Sequence, residues 1–169
     1  ASTGAFTVTD VATLTIVNTG AAAASFANVV LDAVDTTSLT VNASTGSGAT
    51  LGTGNITGTN KLATLSSTTT TAGGTVTIGS IVDADSLTSM TLTATGGDIT
   101  VGTIGSAAAA NNAELLAAIN VTATNSADIT LSGTIFGDNA TNSTTDLAMT
   151  VTGSAALGST VDLGTITNT

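Results

Sequence analysis

The phrase at residues 99–104, ITVGTI, is written again and again in this chain. Residues 76–81 read VTIGSI and residues 161–166 read VDLGTI. Residues 129–135, ITLSGTI, carry one extra residue, and residues 50–56, TLGTGNI, are a looser version. The closing isoleucines fall at 56, 81, 104, 135 and 166, with spacings of 25, 23, 31 and 31. A period between about 20 and 50 residues marks a stacked repeat rather than one globular core. A unit this short cannot bury its own apolar face, so its neighbours must stack on it.

Each copy follows a second extended run. These are ATLTI (12–16), SLTVNA (38–43), SMTLTA (89–94), AINVTA (118–123) and LAMTVT (147–152). Apolar and hydroxyl residues alternate in them, the period-2 signature of a half-buried strand. The two runs travel together: residues 89–104 align with 118–135 with two single-residue insertions, 38–56 repeat the unit, and 61–81 are a degenerate copy. Forty threonines and 19 glycines, with no Pro, Cys, Trp, Tyr or His, exclude a core of large rings. Thr, Val and Ile favour extended backbone, because branching at Cβ packs well on a pleated surface. Helical repeats lack support in this pattern, and propeller blades need about 40 residues each. The expectation is all-β: a right-handed parallel β-solenoid (β-helix) of about six rungs spanning 1–169 as one repeat domain. Ile56, Ile78, Ile81, Ile99, Val101, Ile104, Ile129, Leu131, Ile135, Leu163 and Ile166 are expected to point inward.

Two units carry insertions, at 105–118 and 136–146. The first, rich in Ala and Leu, predicts one short helix from Asn111 to Ala118, with Asn111 or Asn112 as cap and Glu114 near its start. The second is a polar loop. The start at Ala1, without Met or a basic segment, is expected of a processed product or a module of a longer chain.

Eleven carboxylates face one cation, Lys61, for a net charge of −10. Nucleic-acid binding, which needs Lys and Arg to displace counterions, is excluded. Binding to an anionic membrane surface is disfavoured, and no apolar run is long enough to span a bilayer. Without His or Cys there is no Ser–His, thiolate or zinc-type site, so acid–base work falls to carboxylate pairs. No Trp or Tyr offers a sugar platform beside them. The chain is therefore not expected to be an enzyme.

Asp10, Asp35, Asn60 and Asp85 recur at one constant interval, equal to that between Ile56 and Ile81, with Asp32 and Asp83 close by. In a solenoid they would stack about 4.8 Å per rung. Such a column is either a set of turn residues bonding their own backbone or an oxygen-only metal site, with Asp10, Asp35 and Asp85 as ligands for calcium. Asp98 and Asp128 occupy matching positions where a strand opens. Of five Asn-x-Ser/Thr triplets (Asn42, Asn55, Asn120, Asn139, Asn142), Asn139 and Asn142 lie in the polar insertion and are the glycosylation candidates.

Phrases such as SLTVNASTGSGATLGTG and SLTSMTLTATGGDITVGTI resemble the β-strand-repeat regions of bacterial surface-layer and RTX-type proteins. The resemblance lies in composition and repeat style over almost the whole chain. The calcium-binding nonapeptide of that group is absent, so no metal ligand carries over. The resemblance implies a secreted, extracellular, self-assembling structural protein of a surface layer or filament. Its partners would be copies of itself or adjoining domains of a parent chain, in a homo-oligomer or polymer. Two alternatives are an adhesin stalk, with the insertions as contact loops, and a pilin-like sandwich polymerising by strand donation.

Overall fold

The computed structural model describes residues 4–43, 50–70, 74–107, 113, 115–137, 147–154 and 158–167. The chain winds through three faces in turn and repeats. The first face carries the alternating runs: β2 (Thr13–Asn18), β5 (Ser38–Ala43), β8 (Thr64–Thr69), β10 (Ser89–Thr95), β12 (Ala118–Thr124) and β15 (Ala148–Gly153). The second carries β3 (Ala24–Phe26), β6 (Thr50–Thr53), β9 (Thr75–Ile78), β11 (Ile99–Val101), β13 (Asp128–Leu131) and β16 (Thr160–Asp162). The third, narrowest face has β1 (Phe6–Thr7), β4 (Val29–Val30), β7 (Ile56–Thr57), the single bridging residues Ile81 and Ile104, then β14 (Thr134–Phe136) and β17 (Thr165–Thr167). Every described strand pair is parallel. This is a β-solenoid. Six strands on each long face amount to about five full turns from first to last.

In this fold the repeated phrase has a definite place. Its first half is a second-face strand, its closing isoleucine is the third-face residue, and the glycine between them is the corner. Ile56, Ile81, Ile104 and Ile135 bridge one another in sequence and are all but inaccessible to solvent. On the second face Val76, Ile99 and Ile129 are paired coil to coil. On the first, Leu39, Leu65, Met90 and Ile119 form another inward column. Each fully buried Val, Leu, Ile or Met is worth about 1.5–3 kcal/mol, so these columns are the main cohesive term. Where β8 breaks the apolar pattern, the inward hydroxyls bond to backbone. Ser67 Oγ donates to Val41 O at 2.7 Å, and Thr69 Oγ1 donates to Gly97 O at 2.5 Å.

Corner glycines allow the coils to close on each other. A Cβ on Gly79 would stand 2.3 Å from Gly54 O and 2.4 Å from Gly54 C, which are backbone atoms of the coil before. No side chain fits there. At the next corner Gly58 is needed twice over, by its φ of 71° and by the 2.1 Å that a Cβ would have to Leu31 O.

Outward positions of the first face fall into straight ranks. One runs Thr15, Thr40, Ser66, Thr91, Asn120, Thr150. The next begins at Val17 and continues through Asn42, Thr68, Thr93, Thr122 and Thr152.

The two ends differ. In the first coils, Phe6 and Phe26 pack with ring centroids 5.5 Å apart. Asn18 Nδ2 donates to Ala22 O and Thr50 O, while its Oδ1 accepts from Gly20 N, so the polar group fills its inward place with all its bonds made. Among the described residues the last coil has no such plug. Met149 and Val151 in β15 and Ile166 in β17 are 37 %, 49 % and 39 % exposed, whereas Ile119, Val121 and Ile135 one coil earlier are at 0–1 %.

Leu163 and Ile166 keep their inward places, Leu163 packed against the core and Ile166 paired with Ile135, but Leu163 is only partly buried and Ile166 is exposed, because no described coil covers the last one. One sequence expectation needs correction. The helix from Asn111 to Ala118 does not form in its described part. Leu116 N donates to Ala113 O, a single turn, and Ala118 already opens β12. The ladder to β10 claims the backbone that a helix would have used. Asn111, Asn112 and Glu114 lie outside the described residues, as do 138–146 of the second insertion.

Candidate functional site

Five of the described carboxylates, Asp10, Asp32, Asp35, Asp83 and Asp85, lie at the corner between the third and first faces. Asp10, Asp32 and Asp35 each offer an oxygen, and these oxygens lie within 4.8 Å of one another. Asp10 and Asp35 are exposed and Asp32 is half-buried. Asp10 is left-handed, at φ 56°, and its N–H points at Asp32 Oδ2 across 2.8 Å. Asp32 Oδ1 accepts from Val34 N at 2.9 Å. The bond from the Asp10 amide, followed by that from Val34, holds the Asp32 carboxyl below its ordinary value and outweighs its partial desolvation. Asp32 therefore stays ionised. It ties its own turn to the coil before it.

Asp85 does not join this group. Thr13 pairs with Ser38, and Ser38 in turn with Thr64, so the second step along the chain is one residue longer than the first. Counting back from these pairs, Asp10 is level with Asp35, and Asp35 with Lys61 rather than Asn60. That single added residue breaks the constant interval on which the one-column expectation rests. Asp85 stands instead beside Asp83, two coils further on. Burial pushes the Asp83 carboxyl up, helped by the charge of Asp85 and by a hydrogen bond with its side chain. One oxygen of each, Oδ1, is shielded from solvent and has no protein donor.

Asp98 and Asp128 do what their matching positions imply. Asp98 Oδ1 accepts from Asp128 N at 2.9 Å, and Asp128 Oδ1 accepts from Thr160 N at 2.8 Å. Each clamps the opening of the second-face strand in the next coil. Asn28 and Asn55 do the same at the glycine corner, accepting from Asn55 N and Ser80 N. Asn139 and Asn142 lie outside the described residues.

Chemically, the Asp10–Asp32–Asp35 corner is an all-oxygen group that suits a hard cation, although Asp32 already spends both oxygens on amides. It holds no nucleophile–base pair. The feature that residue-by-residue reading misses is the plane of hydroxyls on the first face. Its signal in the sequence is the recurring Thr-x-Thr, which looks like ordinary strand alternation. No protein-family model, curated protein or solved structure matches this chain.

Proposed function

We propose that the protein is a structural repeat module that assembles through its solenoid end, as part of an extracellular surface layer or filament. The last described coil, which no other described coil covers, carries this reading. Met149, Val151 and Ile166 present the same inward columns that every other coil covers, beside strand edges whose backbone groups point along the axis. Such an edge is a template for another strand, and its apolar stripe gains stability when covered. The natural cover is another coil, from a second copy or from an adjoining domain.

The acidity fits this reading. Copies packed side by side bring like charges together, and calcium at the Asp10–Asp32–Asp35 corner would relieve them. Secretion and a cell-surface location rest on the resemblance in repeat style to surface-layer and RTX-type proteins.

Electron microscopy and sedimentation of the purified chain test the proposal. Filaments or sheets, lost on Val151→Lys with the coils still folded, are expected. Monomers at high concentration with calcium present would refute it. The adhesin stalk is a second reading, favoured by the placing of both long insertions, 105–118 and 136–146, at the same corner. The strand-donation alternative needs antiparallel pairing, and every described pair is parallel.

A further inference from the structure

The first face is unlike the rest of the surface. None of its strands, from β2 to β15, contains an acidic or basic residue, in a chain with 11 carboxylates. The charges of the described residues sit on the corners and on the second face, where Asp98, Asp128 and Asp162 lie. What the first face presents instead is threonine, in register over its coils. The ranks through Thr91 and Thr93 repeat about every 4.8 Å from coil to coil, and successive outward residues on one strand stand about 6.6 Å apart.

The hydroxyls of this plane are mostly unclaimed. Elsewhere the protein uses its hydroxyls internally. Thr36 Oγ1 donates to Val11 O, Thr88 Oγ1 to Ala63 O, and Ser132 Oγ to Val101 O. Among the described residues, Thr40, Thr91, Thr93 and Thr122 show no such side-chain bond. Threonine is stiff at χ1, and the parallel ladders fix each Cα, so the hydroxyls and methyls are held in place before anything binds.

A rigid, uncharged, in-register lattice of donors and acceptors selects an occupant that is itself a neutral lattice of donors and acceptors. Sugar chains are a poor match, because no aromatic ring is present on this face to stack on them. Ionic minerals would be drawn to the charged corners rather than here. The coil-to-coil repeat lies close to the shorter oxygen repeat on a prism face of ice, and the along-strand repeat is somewhat shorter than the longer one. Waters resting on the hydroxyls and between the methyls along one rank would already stand near lattice spacing. Charged groups, which orient water differently, are absent from the plane.

We infer that the first face binds ice, with the central ranks around Thr91, Thr93 and Thr122 as the contact. This reading goes beyond the assembly proposed above and does not depend on it. The tests are thermal hysteresis, inhibition of ice recrystallisation, and partition of the dye-labelled chain into slowly grown ice. The chain should enter ice that excludes a protein of similar size, and it should shape or arrest crystals. Thr93→Tyr with Thr122→Tyr, which raises bulk in the middle of the plane, should abolish these effects with the circular dichroism and melting midpoint unchanged. Thr100→Tyr, outward on the second face, should leave them intact. A wild-type chain without hysteresis and excluded from ice would overturn the inference. So would equal loss from Thr100→Tyr, or a double variant that folds and keeps full activity. If the double variant instead only dissolves a face-to-face dimer, the plane serves self-association and the inference also fails.

Discussion

Replacing Gly79 by alanine isolates the role of the glycine in the repeated phrase. The new Cβ would lie 2.3 Å from Gly54 O, and contacts below 3.0 Å are essentially never seen. The blocking atoms are backbone, so no side chain can swing away. The corner must open by about 0.7 Å to bring that contact to the 3.0 Å limit. Two ladder bonds cross this gap: Gly79 N to Thr53 O at 3.1 Å, and Ile56 N to Ser80 O at 2.8 Å. An opening of that size takes both to or beyond the useful limit. Each is worth about 0.5–1.5 kcal/mol net, and the contact of Ile56 with Ile81 loosens as well. The expected loss is about 2–4 kcal/mol, at or above the usual range for overpacking. Gly52→Ala is the control, because there a Cβ meets only Ser25 Cβ, at 3.7 Å. It should be neutral or stabilise by about 0.4–1 kcal/mol through the unfolded chain. The assay is equilibrium urea unfolding followed by far-ultraviolet circular dichroism, since the chain has no Trp or Tyr to report by fluorescence. A Gly79→Ala midpoint equal to that of Gly52→Ala would refute the reasoning.

Val101 is fully buried in a stacked column. Val101→Asp should cost about 3–5 kcal/mol as an uncompensated charge and abolish the folded spectrum, whereas Thr103→Asp, at a half-exposed corner, should still fold. The two acidic corners respond oppositely to pH. The folded pKa of Asp32 is depressed, so its contribution is present above the ordinary value of 3.8 and is lost as pH falls through the lower folded value; Asp32→Asn should flatten that acid limb of a melting-midpoint profile. The folded pKa of Asp83 is raised, so its contribution is present below 3.8 and is lost as pH rises through the folded value; Asp83→Asn should raise the midpoint at neutral pH. Calcium, titrated against sodium chloride of matched ionic strength, should raise the assembled fraction more than the monovalent salt. The Asp10→Asn/Asp35→Asn pair should lose that difference and Asp85→Asn should keep it; identical curves in the two salts would leave the corner as turn chemistry alone.

Much of this architecture is written plainly in the chain. The alternation in residues 38–43 and 89–94 marks β5 and the start of β10, because one side of each strand is buried and the other is not. The inward isoleucines from Ile56 to Ile135 are visible as a spaced series, because parallel in-register stacking puts like on like. Register between coils is less visible. The extra residue between Ser38 and Thr64 changes which acid faces which, and only the ladder reveals it. That is why Asp85 parts from Asp10 and Asp35. The expected helix before β12 fails for a related reason. Local preference for helix at Ala and Leu is worth a few tenths of a kcal/mol per residue, less than the paired strand that Ala118 joins. The hydroxyl plane escapes a reading of the sequence because each threonine alone is ordinary for a strand, and only their alignment over successive coils makes a surface.

The tolerance of one corner has a consequence for protein engineering. Both insertions, at 105–118 and 136–146, place their extra chain between the third face and the first, and β10 and β12 still pair residue for residue across the longer one. Length variation at this edge is thus decoupled from the ladders. Foreign peptides spliced into the 31–37, 58–63 and 82–88 segments would project from one side of a stiff rod, at intervals of about 4.8 Å per coil. The edge amounts to a ruler with attachment points. Two epitopes could be held at a chosen separation by counting coils, without redesigning the columns that hold the rod together.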